Sequence, residues 1–311
     1  MGTSPKVIWA VADTRRGVEN QAIGLAEAIA RELGHAVVAR VTIRDDGFVT
    51  LPEHDTPDVW IGCGRPALKL ARRHRKIFPA ARFIYVQDPR KHYDRFDLIV
   101  APGHDRVRKA NAISMIGSPH RVIPDRLAEG KAAFAKQLSA LPAPRAAVLI
   151  GGPNKRFKVT PEVAANLEAR IGDLLDAGYS LMLSVSRRTP KALTEALKTR
   201  FDGDTRVWLF DGKGENPYFA FLAAADVICV TEDSTNMLVE AAATGKPLYS
   251  LPLDGDPGKF SRLYGALEAH GALRPLLGPV ETWTYPPLDA TAQAAREVVL
   301  RLGLERQGAA A

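Results

Sequence analysis

Residues 216–252 read NPYFAFLAAADVICVTEDSTNMLVEAAATGKPLYSLP. A short apolar helix over 217–224 leads into a β-rich run, DVICV (226–230). The polar turn Thr231-Glu232-Asp233-Ser234-Thr235-Asn236 follows, and a second helix is expected over 234–243. Gly245 and Pro247 end that helix before another strand, PLYSL (247–251). Helix, strand, turn, helix and strand in this order form the repeating unit of a parallel sheet covered by helices. In such sheets ligands bind beyond the carboxyl ends of the strands, where helix N-termini offer N–H groups and a positive dipole end. Ser234 is placed to cap its helix, which would leave the N–H groups of Thr235 and Asn236 for a phosphate. Glu240, two turns in, is an acceptor-only group suited to ribose hydroxyls. A capped helix with a solvated glutamate accounts for the same residues.

The alternation continues outward from this segment. Upstream come RAAVLI (145–150), a helix over 161–176, YSLMLSV (179–185), a helix over 190–199 and RVWLF (206–210). The first half holds KVIWAVA (6–12), HAVVARV (35–41), DVWIGC (58–63), RFIYVQ (82–87), DLIVA (97–101) and AISMI (112–116). Helices fit over 18–33, 65–77 and 124–139, the first with Ala22, Leu25, Ile29 and Leu33 on one face. Leu141-Pro142-Ala143-Pro144 is the best linker, since neither proline suits a helix interior. At 311 residues the chain exceeds the usual single domain, so two domains are the default. The expectation is an α/β protein of two doubly wound Rossmann-like domains facing across a cleft. They are residues 1–141 and residues 142–288, with a C-terminal helix and tail over 289–311 that can cross back to the first.

Composition is that of an ordinary globular protein, with 46% apolar and 25% charged residues. Cys63 and Cys229 lie in apolar runs and read as small buried hydrophobes, so no disulfide framework is expected. The opening MGTSPKVIWAVAD lacks a charged-then-apolar signal pattern, and Lys6 stands where a myristoylation motif wants Ser or Thr. A cytoplasmic chain is expected, at most peripheral at the inner face of a membrane. Residues 1–140 carry 23 Lys and Arg against 15 Asp and Glu, while the remainder carries 19 against 20. The excess of positive charge therefore lies in the first half, which suggests that this half meets something anionic.

The strand-end loops hold the residues that fit a phosphate-bearing ligand. Gly151 and Gly152 follow strand 145–150, where glycine lets backbone N–H groups approach a diphosphate closely. Asn154, Lys155 and Arg156 add donors. Ser186, Arg187, Arg188 and Thr189 follow the next strand, and Phe210-Asp211 ends the one after it. In the first half Asp13 closes the first strand. A carboxylate there would deprotonate an acceptor hydroxyl if burial raised its pKa, although a turn or helix-capping Asp is the commoner reason for such a residue. Asp88, His104 and Asp105, each just after a strand, are the rival bases.

The segment 231–247 is similar to the donor site of GT-B glycosyltransferases, such as the N-acetylglucosamine transferase that makes lipid II. The carriers are Ser234, Glu240 and Ala241-Ala242-Ala243-Thr244-Gly245-Lys246-Pro247. A closer resemblance spans nearly the whole chain. It rests on Asp13-Thr-Arg-Arg-Gly17-Val-Glu19-Asn20-Gln21, Ile61-Gly-Cys-Gly-Arg65, Gln87-Asp-Pro-Arg90, Gly151-Gly-Pro-Asn154 and Ser186-Arg-Arg-Thr189. Asn216-Pro-Tyr-Phe219, Thr231-Glu-Asp-Ser-Thr-Asn236 and Gly258-Lys-Phe260 complete it. By these motifs the chain resembles the mitochondrial fission "elongated mitochondria" family, whose bacterial members are read as glycosyltransferases. The resemblance implies a GT-B-like fold and metal-independent transfer of a sugar from a nucleoside-diphosphate-sugar to an acceptor, which is unnamed and can be lipid-linked. It places Thr231, Asp233, Thr235, Asn236, Lys259 and the strand-end residues above on the donor side, with the nucleobase near Phe210 and Asp211. It places Arg16, Gly17, Asn20, Gln21 and Arg90 on the acceptor side.

Three other patterns stand out in the sequence. Gly62-Cys-Gly64-Arg-Pro-Ala67 opens a helix after a strand, with Asp88 at the end of the next, as in a dinucleotide fingerprint. It would bind NAD in a nucleotide-sugar epimerase, but it follows the third strand rather than the first, and a tight strand-to-helix turn explains it better. Asp-Gly-Asp at 202–204 and 254–256 matches a metal-binding D-x-D only loosely, since Asp-Gly is a common turn pair; no metal site is expected. Lys69, Arg72, Arg73 and Lys76 form a basic stripe, either a solvated helix face or a contact with anionic lipid head groups. Nucleic acid is not expected, because no aromatic stacking pattern accompanies the charge. A non-catalytic recruitment protein on the same fold is the remaining alternative.

Overall fold

The computed structural model describes residues 4–52 and 56–304. Its chain divides into two compact units, residues 1–121 with 289–311 and residues 122–288. The tail beyond Leu304 lies outside the described residues. Both units are doubly wound and Rossmann-like.

In the first unit the strands are β1 (Lys6–Asp13), β2 (Ala36–Ile43), β3 (Val49–Thr50), β4 (Val59–Cys63), β5 (Arg82–Val86), β6 (Leu98–Pro102) and β7 (Ala112–Met115). They lie in the order β3-β2-β1-β4-β5-β6-β7, parallel except for the short antiparallel edge strand β3. Apolar residues on both faces of β1 are buried, as a strand covered on both sides requires. Helix α1 (Arg16–Leu33) ends at Gly34, whose left-handed φ of 75° suits a C-terminal cap. Helix α2 (Gly64–Ile77) turns Ala67, Ala71 and His74 inward against Trp9, Trp60 and Phe83. The Trp60 indole N–H donates to His74 Nδ1 at 3.0 Å, and burial lowers the His74 pKa, so this histidine is a neutral core residue. Lys69, Arg72, Arg73 and Lys76 are all exposed on the opposite side.

The C-terminal helix, Ala290–Leu302, packs along α1 in this unit. Arg296 reaches Glu32 at 3.7 Å, and the Thr291 hydroxyl accepts from the His120 N–H at 3.3 Å.

The second unit contains α3 (Pro124–Ala133), α4 (Ala135–Ser139), β8 (Arg145–Ile150), β9 (Phe157–Lys158), α5 (Pro161–Asp176), β10 (Ser180–Val185) and α6 (Lys191–Arg200). It continues through β11 (Val207–Phe210), α7 (Tyr218–Ala224), β12 (Val227–Thr231), α8 (Thr235–Ala242), β13 (Leu248–Leu251), β14 (Asp254–Gly255), α9 (Ser261–Ala269) and β15 (Leu273–Pro275). Its parallel sheet has the order β11-β10-β8-β12-β13-β15, and β9 and β14 form a separate antiparallel ribbon. The reading of 124–139 as one first-half helix differs from this arrangement. The segment breaks at Phe134 into α3 and α4, and it belongs to the second unit. The cause is packing: Gly130 leaves room for Phe219 of α7, and the Phe134 ring lies 5.6 Å from that of Trp208. The Arg145 guanidinium ties in the presumed linker by donating to Leu141 O and Leu138 O at 2.9 and 3.2 Å. The unit boundary thus falls at 121–122, ahead of the Leu141–Pro144 segment.

Candidate functional site

The order β11-β10-β8-β12-β13-β15 reverses direction between β8 and β12, which makes the carboxyl ends of these two strands the switch point of the second unit. The loop after β8 begins with Gly151-Gly152, and the loop after β12 carries Asp233. The Gly151 N–H donates to Thr231 Oγ1 at 2.7 Å, and the Gly152 N–H to Asp233 Oδ2 at 3.0 Å. The Thr231 hydroxyl donates in turn to Asp233 Oδ1 at 2.7 Å. Arg188, from the loop after β10, donates through Nη2 to Asp233 Oδ2 at 2.7 Å. The Asp233 side chain is 0% exposed. A Cβ on Gly151 would stand 2.2 Å from Asp233 Oδ1, and one on Gly152 2.1 Å from Arg188 O, so glycine is required at both positions by close approach. The Thr189 hydroxyl donates to Gly151 O at 2.5 Å and accepts from the Ser186 N–H at 2.9 Å. Asn154 Nδ2 reaches Asp233 O at 3.4 Å.

Gly151, Gly152, Asn154, Ser186, Arg188, Thr189, Thr231 and Asp233 are therefore one connected network. The glycine amides expected to await a diphosphate are already bonded within the protein. Ser234 also differs from expectation: its side chain makes no capping bond, and its N–H instead closes a turn onto Thr231 O at 3.1 Å. Thr235 and Asn236 open α8. Lys155 and Arg187 are exposed at the rims of the two loops.

Glu240, on α8, accepts a hydrogen bond from the Tyr218 hydroxyl of α7 at 2.5 Å. Burial pushes its carboxyl pKa up to about 7, and the Tyr218 bond holds it from rising further. Beyond α8, Lys246 Nζ donates to Ala223 O and Ala225 O at 2.6 and 2.5 Å, closing the carbonyl end of α7. Burial lowers the Lys246 pKa to about 8. Helix α7 is thus tied at its start to α8 and at its end to the segment that follows α8. Tyr218 as the partner of Glu240 was not anticipated; its place in the Asn216–Phe219 motif was the available signal.

The ribbon β9–β14 brings a third loop alongside. Arg156 and Lys259 both lie over the Phe260 ring, each 5.5 Å from its centroid. The Tyr264 hydroxyl donates to Glu232 O at 2.7 Å. Asp254 and Gly255 are strand residues of this ribbon, which accounts for one Asp-Gly-Asp triplet; Asp204 of the other binds Arg206. Phe210 and Asp211 stay apart from the network. Asp211 is taken by Lys198 at 3.2 Å and by the Lys213 N–H at 3.2 Å, and the Lys198 bond lowers its pKa. Among the described residues no group of three or more His, Cys, Asp or Glu is placed to share a metal ion.

The corresponding switch point of the first unit lies between β1 and β4. Asp13 is buried there and grips Arg15 through Nε and Nη2 at 3.0 and 2.7 Å. Burial pushes the Asp13 pKa up, but the hydrogen bonds and charge of Arg15 outweigh it and leave the pKa below the usual value. The condition set for Asp13 as a base, a raised pKa, is not met. Asp88 accepts from the Arg90 N–H at 2.7 Å and the Tyr93 hydroxyl at 2.8 Å. His104 is buried, with Nε2 3.8 Å from Asp105 Oδ1. Gln21 is buried and accepts from Gln87 Nε2 at 2.8 Å, while Arg16, Gly17 and Arg90 are exposed and Asn20 is half-buried. Gln87 holds a left-handed φ of 89°, unusual for a residue with a side chain. In the Gly62–Ala67 turn, the space beside Gly62 is filled by the Trp60 ring and that beside Gly64 by Val18, so packing explains both glycines.

The sequence model for mitochondrial fission ELM1 matches residues 16–302. The chain belongs to the mitochondrial fission ELM1 family. It is 27% identical over 304 residues to the mitochondrial fission protein ELM1 of Arabidopsis thaliana, covering 89% of this chain and 69% of that one. It is also 27% identical over 290 residues to the uncharacterized protein RP120 of Rickettsia prowazekii, covering 78% and 82%. Among solved structures, the fold is similar to UDP-GlcNAc 2-epimerase of Methanocaldococcus jannaschii in complex with UDP-GlcNAc and UDP. That match has a TM-score of 0.56 at 14% identity and covers 96% of this chain and 100% of the other. For this member of the ELM1 family the likeness establishes the fold. No helix among the described residues is long and apolar enough to cross a membrane.

Proposed function

We propose that the second unit binds a nucleoside-diphosphate-sugar and that the chain transfers the sugar, without a metal ion, to an acceptor met by the first unit. The observation that carries this reading is Glu240. It is a carboxylate on the helix after the switch-point strand, oriented by Tyr218 and able to accept from vicinal ribose hydroxyls. The cationic loops carrying Lys155, Arg156, Arg187, Arg188 and Lys259 supply the charge that a departing diphosphate needs. The ligand of the Methanocaldococcus enzyme makes uridine diphosphate the first nucleotide to try.

An acceptor hydroxyl needs a base. Asp13, held ionised by Arg15, is a poor base but a ready acceptor of a hydrogen bond. His104, buried with Nε2 3.8 Å from Asp105 Oδ1, is the alternative base to test. The basic face of α2 (Lys69, Arg72, Arg73 and Lys76) suits an anionic membrane surface, as a lipid-linked acceptor would require.

Calorimetric titration with UDP, ADP and GDP tests the binding step. One of them binds, and Glu240→Ala weakens it by about tenfold or more, the loss expected for hydrogen bonds to a charged acceptor. No binding by any of the three, or unchanged affinity in the variant, removes the proposal. A second reading, epimerisation of a UDP-sugar, is favoured by the fold match and is separated by product: an isomeric UDP-sugar rather than free UDP.

A further inference from the structure

We infer that Asp233 is a positioning residue, a buried internal anion that occupies the glycine-loop amides and aims Arg188 at the terminal phosphate of the ligand. The inference rests on the donor-site reading above and changes how the phosphate is met. A glycine loop at a switch point ordinarily offers its N–H groups to phosphate. Here the Gly151 and Gly152 N–H groups end on Thr231 Oγ1 and Asp233 Oδ2. A diphosphate seated on the same amides would face a carboxylate that is 0% exposed, and two anions in contact away from water repel strongly. The phosphate is therefore met one layer further out.

Arg188 is the group at that layer. One Nη2–H neutralises Asp233, and Nη1 donates to Gly152 O at 3.2 Å. Its Nε–H and its second Nη2–H have no protein partner among the described residues, and 47% of the side chain is exposed. Its backbone is fixed on both sides. The Arg188 N–H donates to Ser186 Oγ at 3.2 Å, its carbonyl fills the space beside Gly152, and the next residue, Thr189, is bonded to Gly151 O. The guanidinium is thus held at one edge by a buried carboxylate while its remaining donors face outward. A planar fork of this kind binds phosphate with little further ordering, and a lysine cannot hold a carboxylate and a phosphate in the same geometry.

The test compares UDP with uridine, which keeps the base and ribose and lacks phosphate, in calorimetric titrations of the full chain. Arg188→Lys and Asp233→Asn each weaken UDP by about tenfold or more, the scale of a lost charge-assisted bond, and leave uridine affinity within about twofold. Unchanged UDP affinity in a folded variant overturns the inference, as does a parallel loss of uridine. If Asp233→Asn fails to fold, the exposed-side variant Arg188→Lys still decides by the same ratio. Should ADP or GDP prove to be the nucleotide bound, the same comparison is made with it and its nucleoside; wild-type protein that binds none of UDP, ADP and GDP overturns the donor-site reading itself, a result distinct from both.

Discussion

Replacing Tyr218 with Phe removes one hydroxyl from α7 and leaves the ring in place. In the wild type that hydroxyl donates to Glu240 Oε2 at 2.5 Å and favours the ionised carboxyl, whose pKa burial has raised to about 7. A hydrogen bond to a charged acceptor contributes roughly 1.5–3 kcal/mol and one to a neutral group roughly 0.5–1.5. The difference, roughly 1–1.5 kcal/mol, corresponds to about one pKa unit. Glu240 should therefore titrate at a higher pH in the variant, and its ionised fraction at neutral pH should fall several-fold. Ribose hydroxyls donate to the carboxylate, so affinity rises with pH through the pKa of Glu240. Stability runs the other way. A carboxyl whose folded pKa exceeds its unfolded value of 4.5 stabilises fully below that value, and the contribution is lost as pH rises through about 7. Uridine is the clean probe, because it has the ribose and no titrating phosphate. Its affinity in the wild type should climb through neutral pH, while the variant should climb about one unit higher, be about fivefold weaker at neutral pH, and converge with the wild type in mild base. Coincident profiles, or a loss of equal size at every pH, would show that Tyr218 only packs.

In Arg15→Ala, Asp13 keeps the hydrogen bond from the residue-15 N–H at 3.0 Å but loses the guanidinium, so its pKa rises from its depressed position; a carboxyl NMR titration that finds it unmoved removes the ion-pair account. The same change lowers melting temperature at neutral pH, because stability from a depressed carboxylate is present above the unfolded pKa and lost as pH falls through the folded one. Gly151→Ala drives a methyl group to within 2.2 Å of Asp233 Oδ1. Overpacking of this kind costs about 1–3 kcal/mol, at roughly 2–4 °C per kcal/mol, and an unchanged thermal transition would contradict the close approach. Alanine at Lys69, Arg72, Arg73 and Lys76 together should abolish salt-sensitive cosedimentation with phosphatidylserine vesicles, since each basic group contributes about 1 kcal/mol at an anionic surface; equal sedimentation of variant and wild type would rule out α2 as the contact.

Much of the architecture was legible because both sheets are parallel apart from one short edge strand and their central strands are buried. Their strands are apolar runs such as VWIGC and RAAVLI, and the helices between them carry plain apolar faces. What escaped was settled by tertiary packing. Nothing local in 124–139 says that the segment lies against Phe219 and Trp208, so the Pro-rich stretch at 141–144 read as the boundary. The two-residue strands β9 and β14 have too little sequence to show a period. In the site, the motifs located Gly151, Gly152, Thr231 and Asp233, but spacing cannot reveal that an aspartate 81 residues away takes the amide of Gly152. Likewise Asp13 was visible as a strand-end carboxylate, while the sign of its pKa shift depended on where the Arg15 side chain turned.

The most direct test of the account is a crystal structure of the protein soaked or grown with UDP. It should show the ribose hydroxyls on Glu240, the terminal phosphate on the outward donors of Arg188, and the Gly152 amide still bonded to Asp233. UDP bound away from β8 and β12, or seated on the Gly151 and Gly152 amides with Asp233 displaced, would contradict it.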